Sequence, residues 1–255
     1  MMTRSDSLEH LTEGVFINKD FADYIKSAQL TLCGIGGADI IGFGQKDFYI
    51  MEIDRKLANK IIIENHYSHK IYNATYIHLG VFIGGKLLGV LQFGYAMNPA
   101  SQASVVKNTA IDEYLELNRM WLDDKAPRNS ESKAISYAIK YIKKKFKGKI
   151  KWIQSFADER CGKYGIVYQA CNFKYYGEHK SDFWELDGVV YHNIQMTVSK
   201  GTKRYSKEVA YLQENKERAI KMTLRQFRYL YFIDKRKEKD CCLKELPYLK
   251  HYNGD

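Results

Sequence analysis

Apolar and polar positions alternate along residues 114–122, Tyr-Leu-Glu-Leu-Asn-Arg-Met-Trp-Leu, which predicts a strand rich in large side chains. Pro127 and Asn129 break that strand. From there the period lengthens. Ala134, Ile135, Ala138, Ile139, Ile142 and Phe146 recur at helical spacing, with Ser130 or Ser132 as the cap. Lys133, Lys140, Lys143 and Lys144 fall mostly on the opposite side. A strand, a polar loop and a helix start with open N–H groups can hold an anion. Taken alone, the stretch reads more simply as an ordinary β-loop-α unit with a solvated basic face.

The flanking segments predict further elements. Residues 48–53 form a short strand, and Asp54 caps a helix whose buried stripe is Leu57, Ala58, Ile61 and Ile62. That helix runs out at Asn65-His-Tyr-Ser-His69. Residues 76–95 hold two strand-like runs broken at Gly84-Gly85, a hairpin signal. Residues 96–112 are small and polar and read as a long loop of the kind that lies over a site. A strand over 151–156 ends in Ala157-Asp158-Glu159-Arg160, a short helix covers 164–171, and Asp187-Gly188 joins two later strands.

In the tail, Ile220, Leu224, Phe227 and Tyr231 recur at helical steps. Arg218, Lys221, Arg225 and Arg228 make a second, cationic stripe with little acidic compensation. A stripe of that kind suits a phosphate backbone, although a solvated helix face has the same pattern. The element order predicts an α/β (α+β) fold, a mixed central sheet with helices on both faces and a basic helical C-terminal extension. Three segments follow: an irregular N-terminal extension over 1–47, the main domain over 48–200, and the basic extension over 201–255. The glycine-rich run 33–44 matches neither the dinucleotide fingerprint nor the P-loop, so it reads as loop or bulge chemistry.

Composition narrows the class. With 255 residues, 45% of them hydrophobic, the chain can bury a sizeable core. A formal net charge of +10 suggests a polyanionic partner, and 20 tyrosines with 12 phenylalanines offer faces for base stacking. The five cysteines form no CxxC pair, which points to a reducing compartment and away from a thiolate zinc site. No apolar run is long enough for a bilayer, so a cytoplasmic protein without a membrane partner is expected.

Several residues could carry chemistry. His66 and His69 stand three apart and would share a helix face, a spacing usable by a metal but weak by itself. Asp158 follows a predicted strand, where open α/β sheets place site residues; capping the next helix is its competing role. Arg119 sits in an otherwise apolar strand and must be paired, with Glu116, Asp158 or a ligand anion as the candidates. Ser132 is either a cap or a hydroxyl facing the same site, and Tyr168 is a candidate proton donor.

The stretches Asn65-His-Tyr-Ser-His69, Glu116-Leu-Asn-Arg-Met-Trp121, Asn129-Ser-Glu-Ser-Lys133, Ser155-Phe-Ala-Asp158 and Gly165-Ile-Val-Tyr168 resemble, in order and spacing, the Mom family of phage DNA-modification proteins across roughly 50–200. The resemblance implies a fold similar to the GNAT acyltransferases. It implies conversion of adenine in double-stranded DNA to N6-carbamoylmethyladenine, protecting phage DNA from restriction. It assigns iron(II) to His66, Tyr67 and Asp158. Catalytic roles fall to Arg119, Ser132, Tyr168 and Tyr67, and donor binding to Arg119, Ser130 and Ser132. The donor it implies is acetyl-CoA or another activated acetyl or glycine-like molecule. The glycine-containing pyrophosphate loop of the wider acyltransferases is absent, because the loop here reads Ala-Pro-Arg-Asn-Ser-Glu-Ser.

The product implied by the resemblance joins adenine N6 to a methylene carbon, a bond that simple acyl transfer does not make. A stacked duplex hides N6, so a flipped base is expected, with Trp121, Tyr95 and Tyr164 as candidate stacking rings. Two other readings compete. One is an N-acyltransferase acting from acyl-CoA on a protein, RNA or small amine. The other is a non-catalytic nucleic-acid-binding protein, which Arg119 inside a strand disfavours.

Overall fold

Strands β1 (Gly14–Ile17), β2 (Ile40–Gln45) and β3 (Phe48–Glu52) open the computed structural model, which describes residues 14–17, 40–161 and 164–250. Helix α1 (Arg55–Asn65) follows, then β4 (Thr75–Ile83), β5 (Lys86–Gly94), the one-turn α2 (Gln102–Val105), β6 (Tyr114–Leu122) and α3 (Ser130–Lys145). Contacts divide the chain into two units: Met1–Ile153 with Phe232–Cys242, and Gln154–Tyr231 with Leu243–Asp255.

In the first unit the strands run β1-β2-β3-β4-β5-β6, each antiparallel to the next. The hairpin predicted at Gly84-Gly85 is present, with φ of 55° and 74° at the two glycines, as a primed turn requires. Asp54 caps α1 as predicted, accepting from Lys56 N–H and Leu57 N–H. Ala58 and Ile62 are fully buried against Val90, but Leu57 is 42% exposed, so the buried stripe is narrower than predicted. Strand alternation sends Phe48 and Ile50 to the opposite face, where Phe43 and Phe48 pack edge-on against Tyr137 of α3. Helices thus flank the sheet on both faces.

Within the segment expected to be irregular up to residue 47, the described residues include two strands. Val15 pairs with Phe43, and Gly42 with Met51. The glycine-rich run is therefore partly strand, with Ile40–Gln45 in the sheet; its 33–39 portion lies outside the described residues.

A half-buried latch ties the end of α3 to this sheet. Glu52 Oε1 accepts from the Tyr141 hydroxyl and from Lys145 Nζ at 2.6 Å, and Lys145 Nζ also reaches the Ile40 carbonyl at 2.7 Å. Burial, and next the Glu52 carboxylate, push the Tyr141 hydroxyl far above the usual phenol range. Glu52→Ala leaves that hydroxyl without its acceptor, at an expected cost of about 2 kcal/mol in urea unfolding. Glu52→Gln, which keeps an acceptor, is expected to lose less.

The second unit holds most of β7 (Trp152–Asp158), α4 (Ile166–Ala170), β8 (Lys174–Leu186), β9 (Val189–His192), α5 (Lys207–Glu214) and β10 (Ile220–Phe232), with strand order β7-β10-β8-β9. Asp187 and Gly188 have φ of 51° and 78° at the tip of the second predicted hairpin. The tail departs from prediction. The helical stripe at 220–231 is a strand, antiparallel to β8 from Ile220 opposite Glu185 to Leu230 opposite Lys174. Phe227 and Tyr231 stand four apart, a helical step, but with Tyr229 between them they also satisfy a period of two, and the aromatic content favours the strand. Because β10 lies between β7 and β8, deleting 206–255 would remove an interior strand rather than a separable extension.

Candidate functional site

In the first unit His66, Tyr67 and His69 follow the end of α1, and Arg119 on β6 bonds to Lys70 of the same segment. Helix α1 closes with the His66 N–H on the Ile62 carbonyl at 3.0 Å, and His66 itself is extended. Its Nδ1 lies 2.8 Å from Ser68 Oγ and accepts from the Ser68 N–H at 3.1 Å. That contact leaves the proton of a neutral His66 ring on Nε2. The ring is 6% exposed and lies 4.2 Å from the half-exposed Tyr67 ring. His69 turns away with φ of 47°, its Nδ1 donating to the Ile63 carbonyl at 2.8 Å. The helix ends before either histidine, so the shared helix face expected for the pair does not form.

Arg119 is braced by backbone carbonyls. Its Nε donates to Lys70 O at 3.2 Å and its Nη1 to Asn118 O at 2.7 Å, and the guanidinium lies 5.6 Å from the Tyr72 ring centre. Burial, and then Glu116, push the Tyr72 hydroxyl well above the usual phenol range, with Arg119 opposing. The segment after α1 thus folds over the strand that carries Arg119.

A polar row beside this arginine was not among the candidates read from the sequence. His78, Gln92 and Arg119 are successive register partners on β4, β5 and β6. Gln92 is fully buried; its Nε2 donates to Asn59 Oδ1 at 2.9 Å and lies 3.2 Å from His78 Nδ1. Burial, and next Arg55, hold His78 below the usual histidine range. The available signal was a glutamine inside Leu87-Leu-Gly-Val-Leu-Gln-Phe93, where an apolar strand has no use for one.

Neither predicted serine is the cap of α3. Asn129 takes that position with a left-handed φ of 68° and makes no side-chain capping bond. Ser132 Oγ donates to the Asn129 carbonyl at 3.0 Å, and Ser130 is 3% exposed. Glu131 places an acid in the first turn, which works against an anion there.

In the second unit Asp158 ends β7, as predicted. It is 6% exposed, and Arg160 grips it in a fork: Oδ1 accepts from Nε at 3.0 Å and Oδ2 from Nη2 at 2.7 Å. Oδ1 also accepts from the Arg160 N–H at 3.0 Å, so the turn-forming role is realised as well. Tyr168 is buried on α4, with ring centres of Tyr229 and Phe173 at 5.4 and 5.7 Å.

The cationic stripe is compensated, contrary to prediction. Arg218 pairs with Asp187 at 2.5 Å, Lys221 with Asp182 at 2.8 Å, and Arg225 with Glu159 at 2.7 Å. Arg225, bonding through side chain and backbone, holds the Glu159 carboxyl below the usual range. The Arg228 guanidinium lies 5.2 Å from the Phe156 ring centre.

The donor set that the resemblance gives to iron does not fit a metal in this arrangement. Asp158 presents both oxygens to a guanidinium, which opposes a second cation. His66 spends its Nδ1 lone pair on Ser68. Among the described residues no three His, Cys, Asp or Glu side chains converge as a metal-ligating group.

Comparison with known proteins identifies relatives. Solved structures similar to the chain include the ribosomal-protein-S5-alanine acetyltransferase from Vibrio fischeri, with a TM-score of 0.44, 11% identity, and coverage of 76% of this chain and 98% of that one. Another is the microcin C7 self-immunity acetyltransferase MccE in complex with acetyl-CoA and AMP, with a TM-score of 0.42, 13% identity, and coverage of 74% and 96%. Likenesses this distant bear on no residue and no reaction. No helix among the described residues is long and apolar enough to cross a membrane. The sequence match is of another order: methylcarbamoylase mom of Escherichia phage Mu is 50% identical over 200 residues, 78% of this chain and 81% of that protein. The model of the Mom protein family matches residues 47–250, taking in the strand β10 that lay beyond the resemblance drawn from motifs. With four-fifths of its length matched to that model, the chain belongs to the Mom protein family.

Proposed function

We propose that this protein is a transferase that converts adenine N6 in double-stranded DNA to N6-carbamoylmethyladenine, shielding phage DNA from restriction. The observation that carries the reading is the 50% identity to a methylcarbamoylase over most of both chains. The braced Arg119 supports it: a guanidinium fixed on backbone carbonyls inside a sheet is costly to bury and suits a site that holds a polar ligand.

The chemistry sets the tasks. The N6 lone pair is delocalised into the purine ring, so N6 is a poor nucleophile. The new bond joins N6 to a methylene carbon while N6 loses a proton and the donor loses its activating group. Arg119 holds the polar end of the donor. In the first unit Tyr67, beside the His66 ring, is a hydroxyl assigned to proton movement, and in the second unit Tyr168 is assigned the same task, with Asp158 held by Arg160. Ser130 and Ser132 at the start of α3 face the donor. The donor is an activated glycine-like molecule whose methylene carbon bears the leaving group and whose carbamoyl group is already in place; acetyl-CoA carries its leaving group on the carbonyl carbon and does not balance this bond.

The substrate adenine is flipped from the duplex. Arg218, Lys221, Arg225 and Arg228 contribute phosphate contacts. The pairs of Arg218 and Lys221 are solvent-exposed and weak, so a phosphate can displace their carboxylates.

The test is direct. Bacteria expressing the protein should yield plasmid whose nucleoside digest contains a deoxyadenosine heavier by a carbamoylmethyl group, read by mass spectrometry. Unmodified plasmid from cells that make abundant soluble protein would overturn the assignment.

A further inference from the structure

Beside Arg119 two amide carbonyls are buried and accept no hydrogen bond. They are Oε1 of Gln92 and Oδ1 of Asn118. A buried acceptor without a donor is costly, so two on neighbouring strands call for an explanation.

The backbone explains how they come together. The β5–β6 register reads Leu91 opposite Met120, Gln92 opposite Arg119, and Phe93 opposite Leu117, so Asn118 is the extra residue of a bulge. Leu117 and Met120 stay on the α3 face, while both bulge residues point to the α1 face opposite Gln92. The Asn118 side chain confirms this placement, since its Nδ2 donates to Glu116 Oε1 at 2.9 Å and to Tyr95 O at 3.1 Å. Those two partners accept only, so the amide cannot be turned round, and Oδ1 is necessarily the end left over. Gln92 donates from Nε2 to Asn59 Oδ1, with His78 Nδ1 at 3.2 Å from the same atom, which leaves its Oε1 as the unpaired end.

The α1 face of β5 and β6 therefore offers two unpaired acceptors and, at the register position shared with Gln92, a guanidinium donor. The complement is a group with two N–H donors on one atom and one acceptor beside it, which is a primary carboxamide. The geometry points to a carbamoyl subsite formed by Gln92, Asn118 and Arg119, in which the ligand's NH2 donates to Gln92 Oε1 and Asn118 Oδ1 and its carbonyl accepts from Arg119. A carboxylate would set its oxygens against the two amide carbonyls and is rejected for that reason. This subsite rests on the proposed carbamoylmethyl transfer and deepens it: the carbamoyl group passes through unchanged, and its recognition separates the amide from the acid.

Acetamide and acetate are the probes, used on the full-length protein by thermal unfolding. Acetamide should raise the midpoint by about 3 °C at roughly tenfold its dissociation constant, with acetate at least about tenfold weaker. Asn118→Leu and the shape-conserving Gln92→Met should each abolish the acetamide shift and lower plasmid modification about tenfold or more. Equal binding of the two probes overturns the subsite, as does an acetamide shift that survives both substitutions. A midpoint raised by deoxyadenosine alone, and lost in Asn118→Leu, reassigns the two carbonyls to the purine and overturns it too. If the variants do not fold, the comparison of probes on the unmutated protein still decides. Unmodified plasmid together with amide-selective binding would defeat the transfer reaction but not the subsite. Modified plasmid with no amide selectivity would do the reverse.

Discussion

Arg119→Lys is expected to reduce adenine modification at least about 100-fold while leaving the protein folded. Arg119 is held by two backbone carbonyls at different nitrogens, Nε to Lys70 and Nη1 to Asn118, and lies over Tyr72. A lysine carries the charge but has a single nitrogen at its end, so it cannot span both carbonyls and still face a ligand. Losing two hydrogen bonds from a charged group removes roughly 3–4 kcal/mol of positioning, and each 1.4 kcal/mol is a factor of ten. The measurement is the rate at which modified deoxyadenosine accumulates in plasmid after brief induction, with circular dichroism and the thermal midpoint as controls for folding. Full modification by a folded Arg119→Lys protein would remove Arg119 from the site.

The largest effect on stability is expected at Gly94, the last residue of β5. A Cβ there would lie 2.1 Å from the Ala74 carbonyl oxygen and 2.6 Å from Thr75 Cα, both backbone atoms of the partner strand's entry. Backbone cannot rotate aside as a side chain can, and Thr75 and Gly94 are register partners in the β4–β5 ladder. Gly94→Ala should therefore cost about 3 kcal/mol or more, beyond the usual range for an added methylene. For a chain of this size that lowers the thermal midpoint by roughly 6–12 °C. Because Gly94 also pairs with Glu116 on β6, the substitution should reduce modification even where the protein remains folded. An unchanged midpoint would mean that the loop before β4 yields easily.

Local pattern was a sound guide where one physical requirement acted alone. The Gly84-Gly85 and Asp187-Gly188 turns need left-handed backbone, and those residues supply it. Asp54 caps α1 because a carboxylate ahead of an apolar run satisfies open N–H groups wherever it occurs. The run 114–146 forms strand, loop and helix as its change of period predicts. Misreadings arose where two requirements overlapped. Aromatic spacing at 227–231 satisfies both helix and strand, and only pairing with β8 selects the strand. The basic stripe looked uncompensated because Asp182, Asp187 and Glu159 lie 31 to 66 positions away in sequence.

By itself the sequence determined the family motifs, the element order over 48–186, the hairpins, and that Arg119 must be paired. It could not determine what pairs Arg119, since Lys70 is 49 positions distant and contributes a backbone carbonyl, which no side-chain identity announces. Nor could it expose the buried carbonyls of Gln92 and Asn118. Those depend on a bulge that moves two consecutive residues of β6 to one face of the sheet, a matter of register between strands that only the folded chain decides.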